Sequence, residues 1–287
     1  MKFYALHEGF YEGIELRLEQ LRNACQDLDI EFCAIDALQT DFSNLPKLGR
    51  TDLLYNSARG SEMLENLLLN QEVTTFYIKN PETISANFDT TKYSVIHEKA
   101  NLPAPKTIFH LTDDRQLLKK YVEYLGGFPI IIKATASTRG IGTIKIESWQ
   151  NLISTADYLV KTGDKFILRE FIKAKSGGRL MVLGDEVIAS AAFTMHDNDF
   201  RNAVDLSQTK YTNRIYPEQV QQIAVRATHL ANVEFAGVDF LEDENGNFYL
   251  LEINFPSGFS ALIDVCGVDI PKRMVEFLAR KSQNNLR

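Results

Sequence analysis

Two apolar segments near the carboxyl end of the chain, 235–241 and 248–254, flank the dipeptide Asn245-Gly246. Asn-Gly is the preferred centre of a two-residue β-hairpin turn, so the segments are predicted to pair as antiparallel strands. A tight turn fixes a register in which Asp239 lies directly opposite Glu252. Cross-strand partners have Cβ atoms about 4.5–5.5 Å apart, so two carboxylates would meet on one face of the sheet.

This juxtaposition predicts a cation site. Like charges directly opposite each other destabilise a sheet, and the residues around Asp239 and Glu252 are apolar. Asn254 points to the same side as Glu252, two residues earlier. Two carboxylates and an amide oxygen, with no basic partner in the local sequence, favour a hard divalent cation, above all Mg²⁺. The alternative is a solvent-facing strand whose acids repel each other weakly.

A second polar feature follows an apolar segment at 128–134. Lys133 lies near the end of this predicted strand, and the loop Thr135–Gly142 is rich in small, hydroxyl and glycine residues. Such a loop can bring backbone N–H groups close to phosphate oxygens, beside the fixed charge of the lysine. It is not a Walker A loop, because Gly-Lys-Ser/Thr is missing and a strand is predicted to follow. A flexible hairpin loop is the alternative interpretation.

Two arginines and one strand complete the candidate residues. The segment Phe166–Ile172 is predicted as a strand whose backbone, with Phe171, could bind a base such as adenine. Arg179 opens the next predicted strand, 179–183, and Arg201 lies in a later loop. Guanidinium groups bind phosphate or carboxylate through two parallel hydrogen bonds. In isolation, either arginine would more often be structural or solvated.

The order of predicted elements divides the chain into three units, 1–86, 87–168 and 169–287. The first unit alternates strands with helices, which favours a small parallel α/β domain, and it lacks a glycine-rich dinucleotide fingerprint. Its predicted strands are Lys2–Leu6, Ile30–Ile35, Asp52–Tyr55 and Thr75–Ile78. The second and third units mix helices with antiparallel strands. The predicted fold class is therefore α/β (α+β).

Composition excludes several classes of protein. The 287 residues carry 31 Lys+Arg against 38 Asp+Glu, a net charge of −7, with no basic stretch, so nucleic acid is not expected as a partner. No apolar run approaches the length of about 18 residues that suggests a membrane span, so no membrane partner is expected. Cys25, Cys33 and Cys266 are scattered and read as core thiols in a reducing compartment, which predicts a cytoplasmic protein.

In order and spacing, these segments resemble the ATP-grasp superfamily, and within it the RimK-like carboxylate–amine ligases. The matching stretches are Lys92, 102–107, 128–133, 137–142, 169–172, 199–201, 236–239, 251–259 and 267–271. The resemblance covers roughly residues 87–287. It implies a small α/β amino-terminal domain followed by two ATP-grasp subdomains that clasp ATP, the central one with a phosphate-covering loop and the last with the metal site.

The resemblance also implies roles for individual residues. Lys92 and Lys133 would contact the ATP phosphates, and Arg179 and Arg201 would stabilise the γ-phosphate and an oxyanion during catalysis. The rest of the implied nucleotide set comprises Ser137, Thr138, Arg139, Gly140, Ile141, Gly142, Glu170, Phe171, Ile172 and Asn202. Asp239, Glu252 and Asn254 would bind two Mg²⁺ ions, with Glu252 bridging them and Mn²⁺ as the alternative metal.

The implied reaction activates a carboxylate as an acyl phosphate, which an amine attacks to give an amide, ADP and phosphate. The segments 55–60, 176–178 and 202–208 depart from the family pattern where a substrate should dock, so glutamate addition to a ribosomal protein is not carried over. Small-molecule, amino-acid and peptide substrates stay open, as does a homo-oligomeric state, and no general base is evident. A small-molecule kinase and a non-catalytic ATP-binding regulator are the alternative functions.

Overall fold

The strands of the protein form three separate sheets. The computed structural model describes residues 1–10, 13–58, 60–84, 90–135, 141–163, 165–194 and 210–285, with the side chains of 90–92 excepted. Along the chain come a three-stranded parallel sheet, a four-stranded antiparallel sheet and a five-stranded antiparallel sheet. This sequence of one parallel and two antiparallel units confirms the predicted fold class. None of the described helices is long and apolar enough to cross a membrane.

The amino-terminal unit is a parallel sheet that is buried on both faces. Its elements are β1 (Lys2–His7), α1 (Ile14–Asp27), β2 (Glu31–Asp36), β3 (Leu53–Asn56) and α2 (Glu62–Leu68). The strand order is β2-β1-β3. On β1, Phe3 and Ala5 pack in the cluster that contains α1, whereas Tyr4 and Leu6 pack in the cluster that contains α2. Helices on both faces explain why this strand is continuously apolar.

The prediction of a strand at Thr75–Ile78 is wrong. The segment forms a single isolated bridge among the described residues, between Tyr77 and Val233 of the carboxy-terminal unit. The ring of Phe76 is buried, with its centroid 5.2 Å from that of Phe235. Apolar packing therefore draws the segment across to the carboxy-terminal unit, whereas its apolar composition alone suggested a further sheet strand.

The central unit is a sheet with helices on one face. After α3 (Thr90–Lys99), its elements are β4 (Thr107–Ile108), α4 (Arg115–Tyr124), β5 (Ile130–Ala134), β6 (Thr143–Ile146), α5 (Trp149–Thr162) and β7 (Phe166–Glu170), in the sheet order β4-β7-β5-β6. Ile130, Ile132 and Leu168 pack under the helices in a core of their own. Because side chains alternate along a strand, Lys133 and Arg169 point to the opposite face.

The carboxy-terminal unit contains the largest sheet. Its elements are β8 (Ala174–Leu183), β9 (Glu186–Thr194), β10 (Tyr211–Asn213), α6 (Glu218–Leu230), β11 (Phe235–Asp243), β12 (Phe248–Asn254), α7 (Ser260–Cys266) and α8 (Ile270–Asn285). The sheet order β10-β9-β8-β11-β12 places β11 between β8 and β12. The Asp269 carboxylate accepts a hydrogen bond from Lys272 N–H at 3.0 Å, which caps α8 with Pro271 in its first turn, as predicted.

Strand β8 begins five residues earlier than the predicted start at Arg179. The additional residues include Gly177 and Gly178, which looked like a loop because glycine is rare in strands. A Cβ on Gly177 would lie 2.0 Å from the Phe193 ring, and one on Gly178 would lie 2.1 Å from the Tyr216 hydroxyl. The two glycines therefore leave room for aromatic rings to pack on the strand.

Replacing Gly178 with Ala is expected to lower the free energy of unfolding by about 1–3 kcal/mol, because the buried Tyr216 would have to move. Urea unfolding measures the change. Gly49→Ala is the control, because a Cβ there meets its nearest neighbour, an Asp52 carboxylate oxygen, only at 4.0 Å. Equal stability of the two variants would contradict the packing argument.

The amino-terminal and carboxy-terminal units share one apolar core. Phe3 and Leu21 from the first unit belong to the same buried cluster as Phe235 and Leu278 from the last. The ammonium of Lys281 donates to the carbonyl of Tyr77 at 2.6 Å and strengthens this junction. The division of the chain after residues 86 and 168 stays a prediction.

Candidate active site

Three neighbouring strands bring a cluster of polar side chains together. Asp239 on β11 pairs in register with Arg179 on β8 and with Glu252 on β12. The Arg179 guanidinium donates to both Asp239 oxygens, Nε to Oδ1 at 2.7 Å and Nη2 to Oδ2 at 2.6 Å. The Asn254 amide donates to Asp239 Oδ2 at 3.0 Å. The predicted pairing of Asp239 with Glu252 is thus confirmed, and Asn254 lies beside it.

The hairpin reaches this register by a different route from the predicted one. The Asp243 N–H donates to the Asn247 carbonyl at 3.0 Å, and Gly246 has a φ of 81°, which defines a three-residue loop with a glycine bulge. The predicted two-residue turn is therefore wrong. A second irregularity, next to Asp239, leaves Leu251 without a partner on β11. The two one-residue shifts cancel, which restores the predicted pairing at Asp239.

A lysine from the central unit contacts this cluster. Lys133 Nζ lies 3.3 Å from Glu252 Oε2, although the two residues are 119 positions apart. Their side chains are 18% and 27% exposed, so the ion pair is largely shielded from water. The helix-free face of the central sheet and the carboxy-terminal sheet therefore meet at this contact.

The electrostatics differ from the local sequence pattern. No basic residue lies near Asp239 or Glu252 in sequence. In the structure, however, Arg179 forms an ion pair with Asp239, and Lys133 forms one with Glu252. Burial disfavours the charged form of Glu252, but the charges of Lys133 and Arg179 outweigh it and lower the pKa of that carboxyl. Burial raises the pKa of Asp239, and the ion pair with Arg179 offsets part of this effect. Distant strands supply this compensation, which a local pattern cannot reveal.

A buried arginine in the central unit was not singled out from the sequence. Arg169 on β7 is 7% exposed and points to the same face as Lys133. Its Nε donates to Thr107 Oγ1 at 3.1 Å and its Nη2 to Ser94 Oγ at 3.0 Å. No ion pair joins it to a carboxylate of the described residues. A signal existed, because Arg169 directly follows the apolar run Phe166–Leu168 within the same strand.

Close to Arg169, His97 on α3 is buried, and its Nε2 has no hydrogen-bond partner among the described residues. Burial, reinforced by the charge of Arg169, lowers the pKa of His97 from 6.5 to about 4. Between these values the unfolded chain binds more protons than the folded protein, so stability falls as the pH falls through this window.

We therefore expect the free energy of unfolding of the wild-type protein to fall between pH 7 and pH 4. This fall should exceed that of a His97→Gln variant by about 3 kcal/mol. Urea unfolding of both proteins across this pH range measures the difference. Because the other titrating groups are common to both, the comparison isolates His97. Parallel pH profiles would show that His97 is not held in its neutral form.

The predicted adenine-binding segment lies at the end of β7. This strand ends at Glu170, two residues before the predicted end, so the backbone of Phe171 and Ile172 lies outside the strands. The Glu170 carboxylate accepts a hydrogen bond from Lys106 N–H at 3.1 Å. Lys145 Nζ lies 4.9 Å from the centroid of the Phe171 ring, a contact that was not predicted.

Some predicted residues lie outside the described part of the structure. They are Ser137, Thr138, Arg139, Gly140, Arg201, Asn202 and the side chain of Lys92. The helix that carries Lys92, α3, packs against β12, the strand of Glu252. Ile141 is exposed, and the Gly142 carbonyl accepts a hydrogen bond from Ala134 N–H at 3.0 Å. This bond closes the base of the predicted loop.

The oxygen donors of the cluster suit a hard cation. Asp239, Glu252 and Asn254 offer two carboxylates and an amide oxygen, the ligand type that Mg²⁺ prefers. Among the described residues, no group of three or more His, Cys, Asp or Glu is placed to hold a metal. A third protein ligand at this point would therefore be Asn254, and the nitrogen and sulfur donors typical of Zn²⁺ sites are missing from the cluster.

Together, the facing antiparallel sheets, their cationic side chains and the carboxylate pair form a polar site whose chemistry suits a nucleotide–metal complex. The RimK-like ATP-grasp domain family matches residues 89–278, and the chain belongs to this family. The family assignment, and with it the class of ATP-dependent ligases that form amide bonds, confirms the prediction made from the sequence motifs.

Known relatives and structures agree with this assignment. The chain is 28% identical to the probable alpha-L-glutamate ligase of Citrobacter koseri and 27% identical to the ribosomal protein bS6–L-glutamate ligase of Escherichia coli. Each alignment covers 82% of this chain and 76% of the relative. The ATP-grasp ligase PsnB, complexed with a minimal precursor, Mg and ADP, matches with a TM-score of 0.71 at 17% identity, over 98% of this chain and 97% of PsnB.

Proposed function

We propose that this protein is an ATP-dependent carboxylate–amine ligase that forms a peptide-type amide bond through an acyl phosphate. The observation that carries the proposal is the meeting of Lys133 with Glu252 across the two antiparallel sheets, next to the Arg179–Asp239 pair. Two carboxylates, each balanced by a cationic side chain, suit a metal–triphosphate complex, because the metal can bind the carboxylates and the phosphates can bind the cations.

In this proposal, the nucleotide binds between the central and carboxy-terminal sheets. Lys92 and Lys133 bind its phosphates, the loop 137–142 covers them, and Glu170 with the backbone at 171–172 binds adenine. Asn202 belongs to the same nucleotide set. Asp239, Glu252 and Asn254 would hold the Mg²⁺ ions, two in this proposal, with Mn²⁺ as the alternative metal. These ions, when bound, neutralise charge on the phosphate oxygens.

In this proposal, Lys133 and Arg179 exchange their carboxylate partners for phosphate oxygens when the metal–nucleotide complex is bound. Without it, the Lys133 ammonium and the Arg179 guanidinium balance the carboxylates of Glu252 and Asp239. When those carboxylates bind cations, the two side chains can turn toward phosphate oxygens. Arg179 is the stronger candidate for the transferred phosphate, because a guanidinium binds two phosphate oxygens at once.

The chemistry proceeds in two steps. An oxygen of the substrate carboxylate bonds to the γ-phosphorus as the bond to ADP breaks. The amine nitrogen then bonds to the acyl carbon, the bond between that carbon and the phosphate oxygen breaks, and the departing phosphate or solvent takes the proton from the nitrogen. Arg179 and Arg201 stabilise the oxyanion of the second step, and the covering loop excludes water from the acyl phosphate.

An amino acid or a peptide is the proposed substrate. The relatives named as glutamate ligases and the precursor peptide in the PsnB complex support this class. The departures at 55–60, 176–178 and 202–208 argue against transferring the substrates of any one relative. A cytoplasmic location and a homo-oligomeric state stay predictions.

Hydroxylamine trapping tests the function. The protein is incubated with Mg-ATP, hydroxylamine and a fractionated pool of cellular carboxylates, and products are read by mass spectrometry. An ATP-dependent hydroxamate is expected, and its mass would identify the acyl donor. A phosphate ester without hydroxamate would indicate a kinase instead. ATP binding with neither product would indicate a regulator and overturn the proposal.

A further inference from the structure

The carboxyl ends of β1 and β3 lie outside the proposed nucleotide site. In the order β2-β1-β3, the chain passes from β1 to β2 on one side of β1 and then crosses to β3 on the other side. The carboxyl ends of β1 and β3 therefore mark the topological switch point of the parallel sheet. Ligands of open parallel sheets bind at such a point. Ser57 lies there, with its N–H and its Oγ both donating to the Leu6 carbonyl, at 2.9 Å and 2.7 Å.

Arg17, on α1, reaches this switch point. Its Nη1 donates to the Ser57 carbonyl, and its guanidinium lies 5.8 Å from the centroid of the Phe259 ring. A Cβ built on Gly258 would lie 3.3 Å from Arg17 Nη2. The arginine thus connects the switch point of the first sheet with the loop that follows β12.

The charge of Arg17 is not compensated among the described residues. No carboxylate oxygen of those residues lies within 4.0 Å of its nitrogens. Its Nε is buried and has no hydrogen-bond partner within the same ranges. Glu8, at the same edge, packs against the backbone of Gly60 instead. A shielded guanidinium with an unused donor is a binding group for an anion, above all a carboxylate.

One loop connects the surroundings of this guanidinium with the proposed reaction centre. Gly258 is four residues beyond Asn254, so their Cα atoms are at most about 14 Å apart. Gly237 on β11, two residues before Asp239, lies under the same loop, because a Cβ there would be 2.3 Å from Ser257 Oγ. Ser257, next to Gly258, therefore lies on the same face of the sheet as Asp239.

We propose that Arg17 binds a second, non-reacting carboxylate of a substrate, and so selects substrates that carry one. This inference rests on the proposed ligase function and adds a specificity-determining residue to it. The carboxylate belongs either to the amine substrate, as in an amino acid, or to an acyl donor with two carboxyl groups. Both sources present the same planar anion to the guanidinium.

The test compares Arg17→Gln with Arg22→Gln, a control that removes a positive charge from an exposed position on the same helix. The acyl donors are the fractionated pool of cellular carboxylates. The amines are the common L-amino acids, their α-carboxamides and hydroxylamine, which carries no carboxylate. ATP-dependent product formation is followed by mass spectrometry.

For the wild type and Arg22→Gln, a clear preference for amino acids over carboxamides is expected if the amine carries the bound carboxylate. Arg17→Gln should lower amino-acid transfer by about 10–100-fold and remove the preference, with hydroxamate formation unchanged. If the acyl donor carries it, hydroxamates of dicarboxylates should fall by this factor and those of monocarboxylates should not. Either pattern supports the proposal and identifies the source.

A second variant guards against a folding defect. Gly258→Ala keeps the charge of Arg17 but pushes its Nη2 away, so it should reduce the same selectivity to a smaller extent. If both variants keep the selectivity of Arg22→Gln, or lose all substrates equally, Arg17 does not bind a substrate carboxylate. A wild type without hydroxamate or amide product overturns the ligase function itself, which is a distinct result.

Discussion

Replacing Asp239 with Asn is expected to destabilise the protein and to abolish its Mg²⁺-dependent activity. The substitution leaves the Arg179 guanidinium without its anionic partner in a site where the Asp239 side chain is 9% and the Arg179 side chain 22% exposed. Breaking a buried ion pair from one side costs about 3–5 kcal/mol, and the residual exposure of Arg179 favours the lower end. Urea unfolding without metal measures this cost.

A double variant separates stability from function at the same position. Adding Arg179→Gln to Asp239→Asn removes the unpaired charge, so part of the lost stability should return. Activity should not return, because the cluster still lacks a metal-ligating carboxylate and has also lost its guanidinium. If the single variant is as stable as the wild type, Asp239 and Arg179 do not form the shielded pair described above. Recovery of activity in the double variant would remove Asp239 from the proposed metal site.

Replacing Glu252 with Gln is expected to give the opposite balance, a large loss of activity with little loss of stability. Its contact with Lys133 is a single one at 3.3 Å, unlike the two-bond pair of Asp239 with Arg179, and the flexible lysine stem can turn the ammonium toward water, so the cost should be about 1 kcal/mol. Loss of the carboxylate that is proposed to bind the cations should lower kcat by about 1,000-fold or more. ADP release at a series of Mg²⁺ concentrations measures both the rate and the metal requirement.

The matched control for Glu252→Gln is Glu244→Gln, in the turn of the same hairpin. Glu244 is also ion-paired, with Lys173 at 2.9 Å, but its side chain is 62% exposed. The control should therefore keep both stability and activity close to the wild type. Glu252→Gln with full activity and an unchanged Mg²⁺ dependence would refute the metal assignment.

Elements that pack within one unit could be predicted from the sequence, whereas segments that pack against a different unit could not. The strand β5 could be predicted because its apolar run packs in the core of a single unit. The start of α8 could be predicted because the Asp269 carboxylate caps it locally. Phe76 and its neighbours have a strand-like composition, yet their packing partner, Phe235, is 159 residues away. No local pattern contains that partner.

The same limit applies to the candidate site. The facing positions of Asp239 and Glu252 could be inferred because one hairpin joins them, although two irregularities had to cancel. Their cationic partners, Arg179 and Lys133, come from strands 60 and 119 residues away, so only the tertiary structure shows that the cluster is charge-balanced. Arg17 escaped notice because its contacts depend on how the first unit packs on the last.

The shared core has a consequence for biosynthesis. Phe3 and Leu21 are covered in part by Leu278 and its neighbours in α8, and Ser282 donates to the Arg50 carbonyl at 3.1 Å. During translation, the first eighty residues therefore leave the ribosome long before their covering helix exists. The central unit has a core of its own, whereas the amino-terminal sheet keeps part of its apolar surface exposed until α8 has been synthesised.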